Sequence, residues 1–223
     1  MCGRFALYSS LDEIKEVFSV QQVEMDLGPS YNVAPTQKVA VVVHKDGVVH
    51  LRPMVWGLIP AWAKDASIGS RMINARSETL GQKPSFRRPL SSQRCLIVAD
   101  GFFEWQKSEQ GRIPMFIRLK SRRPLGFAGL YDVWTSPSGE KITSCTIITT
   151  DANELVRPIH DRMPVILPRP DYATWLDPAP QSAARLLPLL RPYLAQEMEA
   201  YPVSRLVNSP ANNGPQIVEP VAA

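Results

Sequence analysis

Apolar positions along this chain follow two rhythms, one helical stretch near the start and then a succession of strand-like runs. Leu11, Ile14 and Phe18 recur at helical spacing behind Ser10-Leu11-Asp12-Glu13. Ser and Glu three residues apart make a capping box, so a helix is predicted over 10–18. Residues 19–30 are polar and contain Gly28-Pro29, a loop, and Tyr31–Thr36 reads as a turn stiffened by Pro35. Two β-branched runs, 38–44 and 48–54, flank Asp46-Gly47, a type I′ hairpin signal. That turn pairs His44 with Val49 and Val43 with His50. Cys95–Ala99 is a buried strand running into Asp100–Trp105, and 113–119, 125–131 and 142–150 are three more. Residues 63–70 are a loop, 170–176 and 182–187 short helical pieces, and 202–208 strand-like. Six or seven strands with a few short peripheral helices predict an α+β fold. A single domain over 1–223 is expected, with a β-rich mixed sheet or barrel-like core.

Composition sharpens this only a little. The chain has 223 residues, 44% hydrophobic and 21% charged, ordinary for a globular protein. It has no run of 18 apolar residues and its first residues lack the basic-then-apolar layout of a secretory signal, so a cytoplasmic protein off the membrane is expected. The net charge of +4 leans towards anionic partners. Three widely spaced cysteines, Cys2, Cys95 and Cys145, set up neither a disulfide framework nor a zinc site. The predicted hairpin puts His44 and His50 on opposite faces, because strand side chains alternate, so no metal is expected there.

Candidate chemistry gathers at four places. If Met1 is removed, Cys2 offers a free α-amine and a β-thiol on one residue. The amine adds to an aldehyde as an imine, and the thiol is then placed to close a five-membered thiazolidine. The ordinary alternative is a small residue at a frayed end. Trp56 and Trp62 bracket Gly57 and Pro60, and serve either as core aromatics or as a stacking platform for an unpaired base. Asn74, in the polar segment 74–79, is a structural bridge or a substrate orienter, and Arg76 an ion-pair partner or a phosphate clamp. Phe86-Arg87-Arg88 and Arg94 add charge that ordinarily marks a solvated face. Glu104, between Phe103 and Trp105, is either a half-exposed strand glutamate or a carboxyl in an apolar setting, whose pKa then rises into general acid/base range. In the latter arrangement Glu104 shares a strand face with Phe102 while Phe103 and Trp105 face away. His160 sits beside Asp161 in a loop bracketed by Pro158 and Pro164.

Together these segments resemble a known family. Met1–Phe5, Tyr31–Pro35, Trp56–Pro60, Asn74–Thr79, Arg94-Cys95, Gly101–Trp105, Ala128–Leu130, His160–Pro164 and Pro202–Ser204 occur in the order of the SRAP (SOS response-associated peptidase) proteins. The resemblance runs from residue 2 to about 218 and is similar to the bacterial branch. It implies an abasic-site sensor that binds single-stranded DNA and crosslinks the ring-opened aldehyde through Cys2. Asn74, Glu104 and His160 match its other active-site positions. Arg4, Arg76 and Arg162 match positions near the DNA backbone, and Trp56 and Trp62 its DNA-facing loop. Phe103 stands where Tyr is common. The implied partner is single-stranded DNA carrying abasic sites, with no cofactor or metal, and a monomer is expected. The implied enzyme class is of hydrolase or lyase type. Two other readings stand beside it: a Cys-dependent peptidase that trims Met1, and a non-catalytic single-stranded DNA-binding module.

Overall fold

A computed structural model describes residues 2–109 and 111–221, so Met1, the residue whose removal frees Cys2, lies outside the described residues. The chain opens with β1 (Phe5–Leu7) and α1 (Leu11–Phe18), then β2 (Gln22–Val23), β3 (Ser30–Val33), β4 (Lys38–Lys45) and β5 (Val48–Trp56). The middle holds β6 (Asn74–Arg76), α2 (Pro84–Ser92), β7 (Arg94–Ala99), β8 (Gly101–Ser108) and β9 (Gly111–Leu119). The last part carries β10 (Leu125–Thr135), β11 (Lys141–Asp151), β12 (Arg162–Pro164), β13 (Ile166–Leu167), α3 (Tyr172–Leu176), α4 (Ala183–Leu186) and β14 (Met198–Pro202).

Local chemistry accounts for the first elements. Ser10 and Glu13 form the capping box, with Ser10 Oγ accepting the Glu13 N–H at 3.3 Å and the Glu13 carboxylate accepting the Ser10 N–H at 2.9 Å. The β4–β5 hairpin turns at Asp46 and Gly47 with φ of 51° and 78°, the two positive values a type I′ turn requires. Its register pairs His44 with Val49 and Val43 with His50, as expected from the turn.

Five strands close on themselves: β4 pairs β5 and β7, β7 pairs β10, β10 pairs β11, and β11 returns to β5 through a short parallel contact. This is the barrel-like core. A second sheet runs β14-β9-β8-β1-β3. Alternation along the barrel strands divides the core in two. Val39, Val41 and Val43 with Cys95, Ile97 and Phe127 join Cys2, Phe5 and Phe102 in one cluster. Ala40, Val42, Leu96 and Val98 face the other way, against Ile14 and Phe18 of α1, Leu90 of α2 and Trp175 of α3.

Four local expectations are corrected, and one helix appears that none of them foresaw. Residues 84–92 form a helix despite Pro89 inside it, because Pro84 suits N1 and Phe86 and Leu90 bury one face. The segment taken as loop over 63–70 holds a 3-10 helix over Ala66–Arg71, and 19–30 holds β2. The strand of the tail is Met198–Pro202, paired along β9, whereas Arg205–Asn208 is a 3-10 turn. Arg94 is no solvated charge: it is 4% exposed, and its guanidinium donates to the carbonyls of Leu90, Ser91, Trp175, Asp177 and Ala179.

Candidate active site

Cys2 is held in place through its neighbours in the chain. Phe5 pairs with Val33 of β3 and Phe102 of β8. Its ring packs 5.1 Å from Trp56 and 5.9 Å from Phe127, centroid to centroid. The Phe103 N–H donates to the Arg4 carbonyl at 2.9 Å, and Asp100 accepts the N–H groups of Tyr8 and Ser9. The chain is thus already in the core at Phe5, and Cys2 is fully buried rather than frayed. Burial and then the nearby Glu104 charge push the thiol well up, against a smaller opposing pull from a bond donated by the Arg4 N–H.

Glu104 sits on β8 at 3% exposure, so the half-exposed alternative fails. Alternation aims it as expected: Phe102 on its face belongs to the Cys2 cluster, while Phe103 and Trp105 pack with Phe116 and Tyr201 on the other. Burial raises its carboxyl above the ordinary 4.5, with the His160 charge acting in the opposite sense. Glu104 and His160 line one cleft of about 670 Å³, together with Trp105, Lys107, Arg112 and Arg157.

His160 comes after a tight turn in which the Ile159 and His160 N–H groups both donate to the Val156 carbonyl. Its Nδ1 lies 3.0 Å from the Arg162 backbone nitrogen and 2.9 Å from Asp161 Oδ1. One ring nitrogen cannot serve both contacts at once. Bare, Nδ1 accepts from Arg162 and the proton is on Nε2; protonated, it donates to Asp161. The loop therefore accommodates either a bare or a protonated Nδ1.

Asn74 begins β6, paired in parallel with Ile147 of β11. Its Nδ2 donates to the Ile73 carbonyl at 2.9 Å, and its Oδ1 is buried with no partner among the described residues. A buried acceptor without a donor is a cost the fold carries there. Thr149, opposite Arg76 and Pro164 on β11, adds a buried Oγ1 in the same condition. Sequence reasoning missed it because Thr is an ordinary strand residue. Asn74 opens on a separate cleft of about 460 Å³ shared with Arg71, Arg76 and Lys83.

The residues expected at DNA divide sharply. Arg76 and Trp62 are exposed, Trp62 at 61%. Trp56 is a core residue: it is fully buried and donates to the Ile73 carbonyl, so it has no face to offer a base. Arg4 is engaged internally, its Nη1 donating to Asn32 Oδ1 and the Val207 carbonyl, both at 2.6 Å. Arg162 pairs bidentately with Glu78 at 2.8 and 3.0 Å and reaches Asp151 and the Thr149 carbonyl. A cleft of about 690 Å³ floored by Phe18 and Tyr172 contains none of the candidate residues. No cluster able to hold a metal ion and no helix long and apolar enough to cross a membrane occurs among the described residues.

A closed barrel beside a second sheet buries Cys2 and Glu104 and sets a half-exposed His160 on the Glu104 cleft, all from chain segments far apart in sequence. The family model described as SOS response associated peptidase (SRAP) matches residues 1–210, and the chain belongs to that family. It is 51% identical over 222 residues to Abasic site processing protein YoqW of Bacillus subtilis, covering 98% of this chain and 99% of that one. It is 34% identical to Abasic site processing protein HMCES of Gallus gallus, over 86% of this chain and 66% of that one. Among solved structures, a protein from Bacteroides thetaiotaomicron superposes with a TM-score of 0.89 at 29% identity, covering 99% of this chain and 100% of the other.

Proposed function

We propose that this protein is an abasic-site sensor. It binds single-stranded DNA and joins the ring-opened aldehyde of the lesion to Cys2, freed by loss of Met1, as a thiazolidine. The observation that carries the reading is a fully buried Cys2 whose thiol feels the charge of Glu104, itself buried on the cleft of His160. The naming of close relatives for abasic-site processing supports the substrate.

The lesion rests mostly as a cyclic hemiacetal, and opening it takes a proton from the anomeric hydroxyl and gives one to the ring oxygen. His160, protonated on both nitrogens with its Nδ1–H donating to Asp161, gives its Nε2 proton to the ring oxygen while the anomeric proton passes to solvent. The Cys2 amine attacks the aldehyde carbon, and the carbonyl oxygen leaves as water when the imine forms. The thiol is protonated in its buried setting, so it adds only as its proton is taken up. Glu104 receives that proton, and its raised pKa suits it to do so. The sulfur then bonds the former aldehyde carbon and the imine nitrogen takes a proton, for a net loss of one water. Asn74 Oδ1 accepts from the amine or a sugar hydroxyl. Trp62 stacks on a neighbouring base and Arg76 meets a phosphate.

A Cys–His peptidase requires an easily formed thiolate, and the upward push on the Cys2 thiol works against it. The test is intact mass after incubation with a single-stranded oligonucleotide bearing one abasic site. Protein lacking Met1 should gain the oligonucleotide less one water as a heat-stable product. Cys2→Ser keeps the amine but cannot close the sulfur ring, so its product should be lost on heating and fixed by borohydride. Met1-free wild-type protein that gives no adduct would overturn the reading.

A further inference from the structure

The structure assigns a second phosphate-binding track to the cleft of Glu104 and His160, made by Lys107, Arg112 and Arg157, for the strand on one side of the lesion. This rests on the function proposed above and adds residues outside the motifs that carry the family resemblance.

Lys107 and Arg112 stand directly opposite each other in the β8–β9 register. Like charges facing across an antiparallel pair destabilise it, and no ion pair offsets them among the described residues. None of Lys107, Arg112 and Arg157 makes an ion pair among the described residues, and all three are exposed. Arg157, from the turn before His160, completes a three-cation concave wall in the same cleft. The carboxylates there are Glu104, 3% exposed, and Asp161, turned to His160 Nδ1. Three cations lining a groove next to a reactive centre are a site for a polyanion, because a groove concentrates the field that a flat face disperses.

The need for such a track arises from the other arginines. Arg162 is committed to Glu78 and Asp151, and Arg4 Nη1 to Asn32 and Val207. Exposed cations on the two clefts include Arg71, Arg76 and Lys83 beside Asn74, and this trio beside Glu104. The two groups line different clefts, one with Asn74 and the other with Glu104. In the proposal one strand runs through both.

The experiment is binding of a lesion-free single-stranded oligonucleotide to the whole protein between 50 and 200 mM salt. The triple variant Lys107→Gln, Arg112→Gln, Arg157→Gln should flatten the plot of log K against log salt by about 2 units, at roughly 0.7 per lost contact. A control with three exposed cations neutralised elsewhere, Lys45→Gln, Lys141→Gln and Arg169→Gln, should leave the slope unchanged. The triple variant should also raise the oligonucleotide concentration that half-saturates adduct formation by about tenfold or more. An unchanged slope, or an equal change in the control, overturns the track. Failure of wild-type protein to form any adduct overturns the crosslinking reading instead, and leaves the salt measurement standing.

Discussion

Glu104 is a charge placed where a charge is costly. A carboxyl whose folded pKa lies above its ordinary 4.5 binds more protons in the folded state than in the unfolded one. Its contribution to stability is therefore present below that ordinary value and is lost as pH rises through the folded pKa. Glu104→Gln removes the titration while keeping the shape. The variant should unfold at a higher temperature than wild type at pH 7, with the difference closing below pH 4.5. It should also form adduct about 10²–10⁴-fold more slowly, the usual worth of a positioned acid or base. A variant that is less stable at pH 7 would show that partners of the carboxylate outweigh its burial. Alternation along the strand told which face Glu104 shares and with whom. It could not tell that β8 lies against the Cys2 segment, which is what buries the group. The same gap separates Trp56 from Trp62, adjacent in pattern and opposite in fate, since one ends a barrel strand and the other sits in the loop beyond it.

At the level of elements, the turn that joins β5 to the Trp62 loop depends on one glycine. Gly57 has φ of 135°, and a Cβ there would come within 2.6 Å of the Gly69 carbonyl oxygen. Gly57→Ala combines backbone strain with overpacking against main chain that cannot swing away, and should cost about 3 kcal/mol in urea unfolding. A loss below about 1 kcal/mol would mean that the 66–71 turn yields instead. Elements with strong local signals, the capped α1 and the Asp46-Gly47 hairpin, were legible down to their register. Helix α2 was not, because its apolar positions are few and Pro89 argues against it, and tertiary burial of Phe86 and Leu90 decides the matter. Arg94 reads as surface charge for a related reason. Nothing local says that five carbonyls from three segments will converge on it.

Across the whole molecule, the start of the chain is tied to its far end. Asn32 is 2% exposed; its Oδ1 accepts from Arg4, and its Nδ2 donates to the carbonyls of Val207, Ser209 and Asn212. Asn32→Ala orphans several buried groups together and should lower stability by about 2–4 kcal/mol. Protection of the Phe103 amide, which bonds the Arg4 carbonyl, should fall in hydrogen exchange by more than that of amides in β10 and β11. Equal loss everywhere would mean that the Asn32 tie is not local to this end of the protein. This tie and the barrel closure are invisible to periodicity, since β5 meets β11 through only the pairs Val55–Ser144 and Trp56–Cys145, far apart in sequence. The α+β class and the barrel-like core were legible. The route that carries the segments of Cys2, Asn74, Glu104 and His160 through the fold was not, because it is set by sheet order.

The complete burial of Cys2 has a consequence for chemical selectivity in the cell. An aminothiol in open water captures whatever carbonyl compound it meets, and metabolism supplies many small ones at concentrations far above that of damaged DNA. In the proposed reaction, a thiol sealed in the core and kept protonated is a poor trap for them, because a small metabolite makes few contacts with which to reach it. A long polyanion makes many. On that reading the packing that makes Cys2 hard to reach also keeps it unspent until nucleic acid arrives.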